Sequence, residues 1–271
     1  MIEMQYKYFD EGKAHLHTLG GNPLIGTSTV VGILNKPLTW WAAGMALKEL
    51  GWTNGNYKSK DFVPREEGIK IAAKARRFFF INNEQYYDWL QECYRSHDTK
   101  KKDSAEAGTD MHAELERYVI ECLENGGKPI VSDKAEMWQI DIFAKWAIAN
   151  VEQFLFAEGH TYSKIHWVGG ITDAGAKMKS GKMAVLDFKS SDRAYYAHFV
   201  QGGGYALQIE ENGIVDAKGV RVLAPFIVDE LWIIPFRDEK LAPRTIQNVQ
   251  GFKDAFLGAL TNYKLNQAFN E

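Results

Sequence analysis

Gly170-Ile171-Thr172-Asp173 and, beyond the next turn, Leu186-Asp187-Phe188-Lys189-Ser190-Ser191 are the stretches that decide how this chain folds. The first sits in a strand-like run from Tyr162 to Ala176. The second closes another such run, Met183 to Phe188. Ser180-Gly181 supplies a tight turn between them, so the two runs are predicted to pair as a hairpin. Residues two apart in a strand share a face, which sets Asp187 beside Lys189. The hairpin carries Asp173 across from Asp187 and Phe188, and two carboxylates and an ammonium converge on one patch of sheet. An Asp-x-Lys triplet is also common on a solvated sheet face, as an ion pair worth about 0–1 kcal/mol. Here Ala184-Val185-Leu186 precede the triplet and Phe188 interrupts it, which predicts a central strand. A carboxylate buried there needs a partner or a metal.

Such a set is the minimum for hydrolysing a phosphodiester. Carboxylate oxygens hold a hard divalent cation, Mg²⁺ before others. The metal activates water and neutralises phosphate charge. The lysine orients the water or stabilises the negative charge that develops.

Three features outside the hairpin follow the same order along the chain. Gly108-Thr109-Asp110-Met111-His112 opens an amphipathic helix with Met111, Leu115, Val119 and Leu123 on its apolar stripe, ended by Gly126-Gly127. A lone helical histidine such as His112 is more often a hydrogen-bonding residue than a ligand. Glu158 ends a strand over 153–158, where an ordinary strand-end charge is the plain alternative. Gln201-Gly202-Gly203-Gly204-Tyr205 sets Gln201 and Tyr205 on one helical face. Three glycines inside a helix cost about 1 kcal/mol each relative to alanine. Close backbone packing, a passing nucleic-acid strand or a flexible helix start would each account for them.

The rest of the chain reads as ordinary elements. Tyr6 to Phe9 and Ala14 to Leu19 form a hairpin about Asp10-Glu11-Gly12-Lys13. Thr27-Ser28-Thr29 is predicted to cap a helix over Val30 to Leu34, with Pro37 beyond it. Helices follow at 39–47 and 64–95, separated by a polar loop, and a charged loop at 96–106 carries Lys100-Lys101-Lys102. Ser132-Asp133-Lys134-Ala135-Glu136 starts a helix through Asn150. Tyr195 to Glu210 is helix, Val228 to Ile234 strand, and Ile246 to Phe269 a closing helix. Lys70, Lys74, Arg76 and Arg77 lie near Phe78, Phe79 and Phe80 and would suit a single strand. The same phenylalanines would equally serve as core and the basic residues as a solvated face.

Composition narrows the class. The chain has 271 residues, 45% hydrophobic and 25% charged, enough for one large domain. No stretch approaches the roughly 18 apolar residues of a membrane span. The start, Met1 to Lys7, lacks the layout of a signal peptide. Two cysteines, Cys93 and Cys122, exclude a disulfide framework, an all-cysteine zinc site and a four-cysteine iron–sulfur cluster. A cytoplasmic setting is expected. The formal net charge of −3 and pI near 6.2 exclude a protein that merely coats nucleic acid, which is usually above pI ~9. A metal oxygenase using His15 or His17 lacks a second histidine and acid at ligand spacing.

Taken together, Gly108 and His112, Asp173, Asp187 and Lys189, then Gln201 and Tyr205 resemble the ordered motifs of the PD-(D/E)XK nuclease superfamily, in its RecB-like and phage-exonuclease branch. The likeness extends over most of the chain, with the opening hairpin and Trp40-Trp41-Ala42-Ala43 similar to the lead of phage members. It implies an α/β fold: a small central mixed sheet flanked by helices in one domain, 1–271, with residues 1–107 as a hairpin and helical lead and 108–271 as the core. It implies Mg²⁺ or Mn²⁺ held by His112, Asp173, Asp187 and the carbonyl of Phe188, with Lys189 as the catalytic lysine and Gln201 and Tyr205 shaping the DNA side. Glu158 matches a less regular acidic position. Asp187 replaces the commoner glutamate, and the cysteines of the iron–sulfur branch are missing. The implied activity is a metal-dependent deoxyribonuclease, an exonuclease on DNA ends in phage or bacterial recombination or repair. Its implied partners are DNA and a recombination or single-strand-annealing protein. The rivals are a structure-selective or restriction-type endonuclease and a non-catalytic DNA-binding protein on the same fold.

Overall fold

The computed structural model describes residues 5–10, 15–34, 93–95, 108, 110–132, 138–237 and 239–270. The chain divides into two compact units, one of Met1–Asn35 with Gly108–Glu271 and one of Lys36–Ala107. The helices expected at 39–47 and 64–95 and the loops beside them lie outside the described residues, apart from a helical turn at 93–95.

In the first unit, β1 (Tyr6–Asp10) and β2 (His15–Leu19) form the expected hairpin, with Tyr6 opposite Leu19, and β3 (Asn22–Pro23) adds to β2. Short β4 (Ile25–Gly26) and α1 (Thr27–Val31) follow. Next come α2 (110–124), α3 (Trp138–Asn150), β5 (Val151–Ser163), β6 (Val168–Met178) and β7 (Met183–Lys189). Helix α4 (Tyr196–Asn212) leads through β8 (Ile214–Val215) and β9 (Arg221–Leu223) to β10 (Glu230–Arg237). Then β11 (Lys240–Leu241), β12 (Arg244–Ile246) and the closing α5 (Val249–Asn270) complete the unit.

The large sheet runs β11-β10-β7-β6-β5-β8-β9, with β12 also on β10 and β4 on β6. Strand β6 is antiparallel to both β5 and β7, whereas β10 lies parallel to β7. A parallel neighbour needs a crossover, and the segment holding α4 supplies it. The result is a mixed sheet with β7 in its interior, within the expected α/β class. Among the described residues, no helix is long and apolar enough to cross a membrane.

Helices cover both faces. Leu115 and Val119 of α2 and Phe143 and Ala147 of α3 pack on Phe154, Ala174, Ala176, Leu186 and Phe188. Phe199, Ala206 and Ile209 of α4 pack with Phe156, Val185, Leu231 and Ile233. Strand alternation therefore sends Leu186 and Phe188 toward α2 and α3, and Val185, Asp187 and Lys189 toward α4.

The glycine run in α4 is a packing device. A Cβ on Gly204 would stand 2.7 Å from the Phe256 ring, one on Gly203 would strike the carbonyl of Phe252, and one on Gly202 would press on Leu231. The helix thus lies flush against α5 and β10, which overturns the flexible start and the nucleic-acid contact as explanations for these glycines.

Two local expectations differ. Thr27-Ser28-Thr29 does not cap a helix: Gly26 holds the N-cap position, and Thr27 is already helical. The Thr27 hydroxyl donates to the Gly169 carbonyl at 3.0 Å and accepts from Gln208 Nε2 at 2.8 Å, tying α1 to β6 and α4. The strand expected over Tyr162 to Ala176 is two strands, because β5 continues to Ser163 and the chain turns at 164–167, where Trp167 has φ 61°.

The β1–β2 hairpin is attached to β5 through aromatic rings. Tyr6 stacks on Tyr162 with centroids 5.1 Å apart, and Tyr8 lies 4.8 Å from His160. The buried Tyr6 hydroxyl stands 2.6 Å from His17 Nδ1 and 3.2 Å from His160 Nδ1. Burial, then the neighbouring His160, pushes the His17 pKa from 6.5 down to about 4, and burial also lowers that of His160. Below about 6.5 an unfolded imidazole takes up a proton that the folded one refuses, so stability falls as pH drops from about 6.5 toward 4. For His17 the loss is on the order of 3 kcal/mol. Guanidinium unfolding at pH 7 and pH 4.5 should show it, and His17→Gln should have a shallower pH dependence. An equal slope for both proteins would mean that His17 is not buried neutral.

Candidate functional site

The backbone pairing of β6 with β7 runs from Lys177 opposite Met183 to Ala174 opposite Leu186, and there it stops. Asp173 extends it with a side chain: its Oδ2 accepts from the Phe188 amide at 2.6 Å. The Phe188 carbonyl accepts from His112 Nε2 at 2.8 Å, and the same nitrogen lies 3.7 Å from Asp173 Oδ2. The backbone of one residue thus gathers β6, β7 and α2. The His112 and Asp173 side chains keep 36% and 28% of their exposure, so this corner is half-buried at the edge of solvent.

Asp187 lies deeper, at 2% exposure. Lys189 Nζ donates to its Oδ1 at 2.7 Å, as the spacing of two predicted. The other oxygen, Oδ2, is buried without a hydrogen-bond partner. An orphaned buried carboxylate oxygen is costly, and ordered proteins keep few of them.

The charges act on one another. Burial, followed by the Asp187 carboxylate, pushes the Asp173 pKa from 3.8 up to about 6, against the pull of Lys189, His112 and the Phe188 amide. Burial works against the Lys189 ammonium, but Asp187 and Asp173 outweigh it and hold its pKa above the ordinary value. Lys189 is a permanent cation at neutral pH.

The sequence-predicted residues take distinct places. His112, Asp173, Asp187, Lys189 and the Phe188 backbone come together. Gln201 Nε2 donates to the Tyr205 hydroxyl at 2.9 Å. Tyr205 is buried and its ring lies against Gly170, where a Cβ would come within 2.7 Å of it. It supports the strand from beneath, leaving Gln201 as the partly exposed member of the pair. Glu158 falls between the pairs Ala157–Ala174 and Gly159–Thr172, hence opposite Asp173, in the left-handed region at φ 41°. Surrounding packing, then the Glu116 carboxylate of α2, raises its pKa. Sequence reasoning missed Glu116, one helical turn after His112, and His198, whose pKa is lowered by burial and then by Lys189. The i, i+4 spacing of His112 and Glu116 was a usable signal; for His198 the sequence holds none. Lys70, Lys74, Arg76, Arg77 and Lys100 to Lys102 lie outside the described residues.

Among the described residues, no group of three or more His, Cys, Asp or Glu side chains is gathered tightly enough to hold a metal ion unaided. Lys189 engages one oxygen of Asp187, and His112 and the Phe188 carbonyl engage each other. The donor set still suits a hard cation. Two carboxylates, a carbonyl and an imidazole nitrogen are the ligands that Mg²⁺ or, with the imidazole, Mn²⁺ accepts. The unpartnered Asp187 Oδ2 is the atom such an ion would satisfy.

No family model matches the chain, and no curated protein matches it. Among solved structures, the crystal structure of SSO0001 is similar over 33% of this chain and 40% of its own length, at 14% identity and a TM-score of 0.21. The match spans less than half of that structure, and a likeness so slight carries no argument.

Asp173 offers a test of these electrostatics without any ligand. Its folded pKa lies above 3.8, so the native state binds the extra proton between about 3.8 and 6, and stability is lost as pH rises through that window. Asp173→Asn removes the charge and keeps an oxygen for the Phe188 amide. In EDTA above pH 6 its thermal midpoint should exceed the parent's by roughly 2–4 °C, with no gain below pH 4. A lower midpoint above pH 6 would show that the Asp173 charge stabilises the fold.

Proposed function

We propose that this protein is a metal-dependent deoxyribonuclease with the PD-(D/E)XK core, in the RecB-like and phage-exonuclease branch, degrading DNA from its ends. The observation that carries the reading is the buried Asp187, with one oxygen on Lys189 and the other without a partner, beside Asp173. The mixed sheet and the chain order His112, Asp173, Asp187, Lys189 support it. A structural ion pair would have no need to bury a carboxylate oxygen unpaired.

In this reading a bound Mg²⁺ or Mn²⁺ supplies Lewis acidity toward the phosphate and lowers the pKa of a bound water. Asp173 and Asp187 would hold the ion, and His112 and the Phe188 carbonyl would join them only by giving up their mutual hydrogen bond. Lys189, kept protonated by its two carboxylates, presents a fixed positive charge to the phosphate oxygen that gains charge in the transition state. Asp187 sets the direction of the ammonium. Asp173 fixes the backbone from which both residues project.

End-labelled linear DNA and covalently closed circles, each with Mg²⁺, Mn²⁺ or EDTA, test the proposal. Linear DNA should be degraded, circles spared, and EDTA should stop the reaction. Lys189→Ala should lower kcat by on the order of 10²-fold or more while DNA affinity changes far less. Lys189→Arg should not restore full activity, because the bulkier guanidinium places its charge differently. Rapid opening of closed circles would favour the endonuclease reading. Binding without cleavage by the parent protein, or near-parental cleavage by Lys189→Ala, would overturn the catalytic assignment.

A further inference from the structure

Between Lys189 and α4 the chain runs Ser190-Ser191-Asp192-Arg193-Ala194-Tyr195. This connection leaves the candidate site directly: Ser190 follows Lys189, and its Oγ would lie 3.2 Å from a Cβ on Gly108, one turn before His112. Ala194 is buried and anchors the loop, and the Ser191 hydroxyl donates to the Arg193 carbonyl at 2.8 Å. Its large side chains turn outward. Tyr196 is 61% exposed and Tyr195 37%. The Arg193 guanidinium lies over the Tyr195 ring, 5.1 Å from its centroid, and the Tyr195 hydroxyl donates to Asp192 Oδ1 at 2.6 Å. Tyr195 meets His198 edge-on at 5.4 Å, and Tyr196 leans on Phe252 at 5.9 Å.

These side chains give no core packing equal to their size. Two tyrosine rings and a guanidinium plane are held at the surface within a few residues of a fixed ammonium. An extended chain covers at most about 3.6 Å per residue, so Arg193 stands no more than ~14 Å from Lys189. A guanidinium suits phosphate, and exposed aromatic rings suit the faces of bases. Base faces are available only where the strand is unpaired, since a duplex presents its phosphates and groove edges instead.

We propose that Arg193, Tyr195 and Tyr196 form a platform that holds an unpaired segment of a DNA strand beside Lys189, so that the preferred substrate is a single-stranded end. The proposal rests on the nuclease reading for its substrate. Tyr196 stacks on a base, Arg193 contacts the neighbouring phosphate while braced by Tyr195, and the strand is led toward the carboxylates.

Fluorescence anisotropy with a labelled single-stranded oligonucleotide and a blunt duplex of the same sequence tests this, in a Lys189→Ala background with EDTA so that the DNA stays intact. Tyr196→Ala should weaken single-strand binding by about 5–10-fold and duplex binding by less than about twofold. Tyr196→Trp should restore the affinity. Arg193→Ala should reduce the slope of log affinity against log salt by about one. With Lys189 intact, Tyr196→Ala should raise KM on single strands and leave kcat unchanged. Parental affinity of Tyr196→Ala for single strands, or equal loss for both DNAs, would overturn the platform. A parent protein that binds but never cuts would overturn the nuclease reading, while the comparison of the two DNAs would still decide the platform.

Discussion

The backbone of Phe188 is where the candidate site is held together. Its amide is taken by Asp173 and its carbonyl by His112, at the point where the β6–β7 ladder ends. A buried backbone group must find a partner, and here side chains from a second strand and a helix provide it. The Phe188 ring packs among α2 and α3, while Asp187 and Lys189 on either side project toward α4. The placing of Asp173, His112, Asp187 and Lys189 is therefore tied to one residue whose own side chain is purely structural. The same arrangement sets stability against chemistry. Asp173 makes a short bond that orders the backbone, yet its carboxyl is raised by burial and by Asp187, so the proposed metal site is a place of electrostatic strain in the ligand-free chain.

Much of this was legible in the sequence, because it depends on local pattern. The two-residue spacing and apolar setting of Asp187-Phe188-Lys189, and the Ser180-Gly181 turn, were enough to give a central strand and its antiparallel neighbour. What escaped depends on contacts between distant segments. Thr27 has the chemistry of a cap, but Gln208 and the Gly169 carbonyl, remote in sequence, claim its hydroxyl. The length of β5 was hidden because Glu158 and Gly159 read as a strand end, while the strand passes through them in a left-handed step. Strands β8, β9, β11 and β12 have two or three residues each, too few for any periodicity.

The glycines of α4 show how a costly local choice is compensated. Each lowers helix propensity, yet together they let α5 approach until its Phe252 carbonyl and Phe256 ring occupy the space of missing side chains. The helix is thereby fixed in depth and rotation, and Gln201, Tyr205 and His198 are fixed with it. The proposed DNA platform continues directly from the first turn of this immobile helix.

The Tyr6 hydroxyl has a consequence for the rings around it. It faces two imidazole Nδ1 atoms, from His17 and His160, but carries a single hydrogen. One ring must accept from it and the other must donate to it, so the two neutral histidines are opposite tautomers. The arrangement has a direction, and reversing it requires each ring to move its proton between Nδ1 and Nε2 while the phenol turns its hydrogen to the other ring. The cluster that attaches the first hairpin is thus a one-way chain of hydrogen bonds, and ¹⁵N chemical shifts of its two histidines would differ as long as the hairpin stays docked.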